Sequence, residues 1–213
     1  MINKFWSKKA IEEEANRILS AAEYRYGLKM LAPIPVEAIL EHVADLKISW
    51  EPIQEREGEI IWGGLRPQNH QVVLNERRLN IFEQKPGLEL FTKGHELGHW
   101  YLHVDKVSLV NQKLPGLDSQ KLQFICRDGD KSWKETTANR FAGCLLMPKQ
   151  LLIPQIKKIN RTSWPELYHI AEIFGVTISA LTVRLSDLKL LYIDDEGKIY
   201  HSAQERKGQQ SFM

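Results

Sequence analysis

Cysteine is nearly missing from this chain: Cys126 and Cys144 are the only two in 213 residues. Two thiols cannot build the disulfide framework of a small secreted scaffold. Long hydrophobic runs are missing too; none approaches the ~18 residues of a membrane-spanning helix. The opening stretch MINKFWSKKAIEEEANRIL has no apolar core region and no cleavage signal. No secretory signal peptide is therefore expected, and the expectation is a cytoplasmic protein with no membrane partner. Neither sign of charge dominates: 29 Lys and Arg stand against 27 Asp and Glu, a formal net charge of +2 that gives no reason to expect a nucleic-acid partner. No internal repeat is visible. What is left is an ordinary globular composition, 43% hydrophobic and 26% charged. A chain of this length buries roughly 70% of its unfolded surface and needs no covalent staples.

The order of elements follows from periodicity. Lys8 to about Tyr26 places Ile11, Ala15, Ile18, Leu19 and Ala22 on one helical face, and Gly27 is a plausible stop. Pro35 opens a second helix running to about Val43. KISWEPI alternates like a strand, and EIIWGGLRP and HQVVLNE predict a hairpin around Pro67-Gln68-Asn69. Pro86-Gly87 opens a helix to about His103. From VDKVSLVNQ to CRDGDKSW, short strands and turns are expected. WKETTANRFAGCLLMP predicts a helix stopped before Pro148, with a further helix near Lys149 to Lys158. Ser163 caps PELYHIAEIF, Gly175 ends it, and ISALTVRLSDLK follows. KLLYI and KIYHS flank a turn as a second hairpin. The mixture predicts an α+β fold.

FTKGHELGHWYLH carries the chemistry. His95 and His99 lie four residues apart, on one helical face, and Glu96 stands beside the first. Two imidazoles so placed can share one zinc ion, with Glu96 reaching a water, the H-E-x-x-H pattern of zinc peptidases. An amphipathic helix with two exposed histidines is the plainer alternative. A catalytic zinc needs three protein ligands and an open position. His103 is a tempting third, but it stands eight residues beyond His95, roughly 12 Å along a continuous helix axis. It is read as a helix-end residue. Glu135 is the better candidate, and Asn139, four residues on, faces the same way. A second helix crossing the first would bring the Glu135 carboxylate to the metal. It would also bring the Asn139 amide oxygen to the free ring N–H of a ligand histidine.

HELGHWYLH followed by ETTANRFAGCLLMP resembles the ImmA/IrrE family of metallopeptidases, where H-E-x-G-H is followed by E-x-x-A-N-x-F-A and L-L-M-P. LELFTKG resembles the stretch before the family's histidines, although a basic residue usually stands where this chain has Leu90. The resemblance extends more loosely from the N-terminal helices to the helix pair after Ser163. It implies His95, His99 and Glu135 as ligands of one zinc ion per chain, with manganese or iron as substitutes, and Glu96 as general base. It implies a zincin-like core, helices with a small and mainly antiparallel sheet, over residues 1–160, then a helix-turn-helix-like segment with a hairpin over 161–202 and a polar tail over 203–213. It further implies an endopeptidase that cleaves a protein partner, a transcriptional repressor, in a phage, mobile-element or stress-response circuit. The competing reading is a non-catalytic anti-repressor, a binding module with a structural metal.

Other residues are weighed beside the motif. His70, Tyr101, Arg140 and His169 are candidates to stabilise an oxyanion, and spacing does not choose among them. The predicted 60s–70s hairpin could offer an exposed edge to an extended peptide. Cys144, nine residues after Glu135, points away from the metal and is expected in the core, with Cys126 packed as well. From Ser163 to Tyr200 the cations Arg184, Lys189 and Lys198 face six acids, so the segment is net acidic and is expected to dock protein rather than DNA.

Overall fold

The computed structural model describes residues 6–111 and 121–205; part of the segment expected to form short strands and turns, and residues 206–213 of the polar tail, lie outside them. Helix α1 spans Lys8–Tyr26. The Ser7 side chain accepts from the Ala10 N–H at its start, and Gly27, with φ 62°, closes it in the left-handed region that glycine tolerates. All five predicted face residues, Ile11, Ala15, Ile18, Leu19 and Ala22, are buried. The second helix, α2 at Val36–Ala38, continues as a π-type turn over Ile39–Val43.

Four strands form the main sheet: β1 Lys47–Glu51, β2 Ile61–Arg66, β3 Gln71–Asn75 and β4 Phe124–Arg127. The predicted hairpin is β2–β3, turning through a 3-10 helix at Pro67–Asn69. The strand order is β1-β3-β2-β4. β1 runs parallel to β3, and the β2–β3 and β2–β4 pairs are antiparallel. This corrects the expectation that the hairpin offers a free edge. β1 covers β3 and β4 covers β2, so the hairpin is the interior of the sheet and, among the described residues, β1 and β4 are its edges.

After the short helix α3 at Leu79–Gln84 comes α4 at Pro86–Leu102, lying on β2. The next element departs from expectation. Lys106–Asn111 is a helix, α5, because Asp105 starts it: its carboxylate accepts from the Val107 N–H and its carbonyl from the Leu109 N–H. Helix α6 spans Trp133–Leu146, with the Ser132 side chain accepting from the Glu135 N–H. Helix α7 is Lys149–Ile156, α8 Trp164–Phe174 and α9 Ile178–Asp187. A two-stranded hairpin, β5 Tyr192–Ile193 and β6 Ile199–Tyr200, follows. Among the described residues no single helix is long and apolar enough to cross a membrane. Leu167, Phe174, Leu181 and Leu185 of α8 and α9 join the same apolar core as α1, α4 and α6.

Helices α4 and α6 pack antiparallel, and glycine sets how closely. A Cβ placed on Gly98 would lie 3.1 Å from both the Cα and the carbonyl oxygen of Ala138 and 3.2 Å from the Phe141 ring. One on Gly94 would meet Ala142 and Leu146 at 3.5 Å, an ordinary contact. Both substitutions gain about 1 kcal/mol of helix propensity. Only Gly98→Ala must push two backbones apart, at a cost of roughly 1–3 kcal/mol. Thermal unfolding should therefore rank Gly94→Ala above Gly98→Ala; equal midpoints would mean that the two helices yield freely.

Candidate metal centre

The close α4–α6 contact brings two sequence-distant motifs face to face. His95 Nε2 lies 2.9 Å from Glu135 Oε2, His99 Nε2 lies 3.1 Å from Glu135 Oε1, and the two Nε2 atoms are 2.9 Å apart. Three donor atoms thus converge from two helices, and all three residues are buried. Two imidazoles and a carboxylate are a combination that could hold a metal ion.

The outer ring nitrogens are also occupied. His95 Nδ1 lies 2.8 Å from Asn139 Oδ1, so in the tautomer that binds a metal through Nε2, Nδ1–H would donate to that amide oxygen. Asn139 keeps contact with solvent while making this bond. His99 Nδ1 lies 3.0 Å from His103 Nδ1, and His103 Nε2 lies 2.9 Å from Thr137 Oγ1. Burial holds His99 below its ordinary value. It also drives His103 down to about 3, and a protonated His99 and Lys134 would act the same way.

Glu96 is 0% exposed, and among the described residues neither of its carboxylate oxygens has a hydrogen-bond partner. Burial, and then the charge of Glu135, push its carboxyl well above the usual carboxylate range. An unsatisfied buried carboxylate costs several kcal/mol in real proteins. One proton cannot satisfy two orphaned oxygens together with converging lone pairs. The donor set therefore fits a divalent cation with water beside Glu96.

The remaining sequence-named residues are distributed unevenly. His103 does sit at the C-terminal end of α4, but it is not only a helix-end residue, because its ring folds back to touch both His99 and Thr137. Cys126 is buried as expected. It also stands on β4 with its sulfur within 4.8 Å of nitrogen and oxygen atoms of His95 and Glu96, and burial raises its thiol well above the ordinary value. Cys144 is in the core on the far side of α6, where Arg184 Nη1 donates to its sulfur at 3.2 Å. Of the four oxyanion candidates, Arg140 is paired with Asp187 at 3.0 Å, His169 is exposed on α8, His70 sits edge-on to Trp100, and Tyr101 stacks on Phe141. None of them hydrogen-bonds the three donors. Sequence periodicity has no means of finding Thr137 or Cys126 at the centre; their approach depends on how α6 crosses α4 and on which strand closes the sheet.

No curated protein matches the chain. The family model described as the IrrE N-terminal-like domain, peptidase M78, matches residues 64–186, which takes in β3, both motif helices and α9. That span is more than half of the 213 residues and contains every donor at the centre. The chain belongs to the IrrE-like peptidase M78 family of metallopeptidases.

Proposed function

We propose that this protein is a zinc-dependent endopeptidase. In this reading His95, His99 and Glu135 hold the cation, Asn139 orients His95, and Glu96 is the general base. The observation that carries it is the convergence of three buried donors beside a carboxylate with no partner of its own. A bound divalent cation supplies Lewis acidity, acidifying water and polarising a carbonyl oxygen. Glu96 takes a proton from the attacking water and delivers it to the amine of the leaving peptide. Manganese or iron can replace zinc, since affinity order alone does not decide which metal is used.

The substrate in this reading is a protein segment in extended form. The edge strand β4, which carries Cys126 beside Glu96, supports it. A peptide added to that edge would satisfy its backbone groups there and pass the centre. The partner class to test first is a helix-turn-helix transcriptional repressor, in a phage, mobile-element or stress-response circuit. The zincin-like core and the helix-turn-helix-like character of α8–α9 belong to the same reading. The two helices bend by 100° at their break, within the range of that motif. Arg184, the one cation on α9, is 5% exposed and bound to Glu12, which favours protein docking over contact with nucleic acid.

Metal analysis tests the centre directly. The wild type should carry one equivalent of zinc, and Glu135→Ala should lose most of it at the same protein concentration. Undiminished occupancy in Glu135→Ala would remove this carboxylate from the ligand set.

A further inference from the structure

His103 makes contacts that a helix-capping role does not require. It is the C-cap residue of α4, with φ −122°. Leaving the helix there lets its ring lie along the side of His99, the ring centroids 5.1 Å apart. Its Nδ1 faces His99 Nδ1 at 3.0 Å and its Nε2 faces Thr137 Oγ1 at 2.9 Å. Thr137 Oγ1 lies 3.0 Å from the Trp133 carbonyl and 2.9 Å from the Lys134 carbonyl, and donates its single proton there. The hydroxyl oxygen is then free to accept from His103 Nε2–H. His103 Nδ1 carries the lone pair and accepts from His99 Nδ1–H. His99 Nε2 is left unprotonated, facing His95 and Glu135.

We propose that His103, braced by Thr137, is a positioning residue that sets the ring tautomer of His99 and so raises the affinity of the centre for its cation. The inference rests on the reading of His95, His99 and Glu135 as ligands. A histidine can give its Nε2 lone pair to a metal only if Nδ1 holds the proton, and a fixed acceptor at Nδ1 removes the cost of choosing that form. His95 has the same service from Asn139. The two ligand histidines are thus held by different devices. A single amide serves one, and a two-residue chain reaching from α4 to α6 serves the other. This chain also ties the end of α4 to α6 two residues beyond Glu135.

A packing role predicts something else. His103 also stacks on Phe124 at 6.2 Å and meets Trp133 edge-on at 5.2 Å. Two substitutions separate the roles. His103→Phe keeps an aromatic ring but offers no acceptor. His103→Asn loses the ring but can set its amide oxygen near the Nδ1 position. Zinc and cobalt(II), each added alone to the full chain, are titrated against a competing chelator, with thermal unfolding of the cation-free proteins in parallel. His103→Phe should weaken cation binding roughly tenfold to a hundredfold with little change in the cation-free midpoint. His103→Asn should recover most of that affinity despite a lower midpoint. Thr137→Val should fall between the wild type and His103→Phe. In zinc-loaded protein labelled with 15N-histidine, the His99 Nδ1 proton should be seen in the wild type and exchange faster in His103→Phe. Wild-type affinity in His103→Phe, or equal loss in Phe and Asn, overturns the tautomer role while leaving the ligand reading intact. A wild type that takes up no cation overturns both.

Discussion

Glu96→Gln is expected to stop cleavage while leaving cation uptake untouched. The amide is nearly the same shape as the carboxylate it replaces but accepts no proton from water, and general-base catalysis contributes about 10² to 10⁴ in rate. A loss of that size is plain on a gel of a candidate repressor, the partner class proposed above, incubated with the wild type and the variant. Removing the charge also relieves an unpartnered buried carboxylate beside Glu135, so the variant should unfold no earlier than the wild type and carry the same zinc. Activity and stability thus move in different directions, which a merely structural glutamate would not do. The competing reading, a non-catalytic anti-repressor, forecasts full derepression in cells by Glu96→Gln and no cleavage product from the wild type. That pair of results would sink the peptidase reading.

The second large effect lies far from the centre. Arg184 of α9 reaches back to α1, donating to Glu12 through Nη2 at 2.6 Å and Nη1 at 2.8 Å, and to the Met147 carbonyl through Nε at 3.1 Å. Its side chain is 5% exposed and that of Glu12 is 13%. Breaking a buried pair by removing one partner costs about 3–5 kcal/mol when the other charge is left uncompensated, and here Lys149 Nζ, 3.4 Å from Glu12 Oε2, offsets part of that, which favours the low end. Arg184→Met should therefore lower the unfolding midpoint by on the order of 10 °C for a chain of this size. A second change, Glu12→Leu, should restore much of the loss; a double variant no better than the single one would place the effect elsewhere. The pair also fixes a pH dependence. Burial alone would raise the Glu12 carboxyl, but the hydrogen bond and charge of Arg184, with Lys149 and Cys144, bring it below its ordinary 4.5. A carboxyl depressed by folding stabilises above its unfolded value and loses that contribution as the pH falls through the folded one. The gap between wild type and Arg184→Met should accordingly narrow as the pH drops below about 4.5.

The centre was more legible in the sequence than the scaffold that supports it. His95 and His99 share a face by local helical spacing with Glu96 beside the first, and Glu135 and Asn139 share one a helix later, so the two half-patterns are visible before any fold is known. Their meeting is not local. It depends on Gly98 lying against Ala138, which no periodicity announces. His103 illustrates the limit. Distance along a helix axis correctly sets it apart from His95, but the axis ends at Leu102, and the ring turns back once the backbone leaves helical geometry. The α5 helix was hidden by its valines, which suggest a strand, although the capping Asp105 was the available sign. The edge position of β4 follows from pairing with β2 across a long stretch of chain, and the Arg184–Glu12 bond from partners 172 positions apart. Neither leaves a mark in composition or pattern.

The division of the donors between α4 and α6 has a consequence for the birth of the protein. Synthesis delivers the histidine pair first; α5 and β4 must follow before Glu135 can arrive. Until α6 has emerged and settled against Gly98, the nascent chain carries two imidazoles with no carboxylate opposite them and no Asn139 or Thr137 to choose their tautomers. Arg184 emerges later still and ties α9 to α1. In the proposed reading the donor set stays incomplete until α6 has been made and has packed against α4.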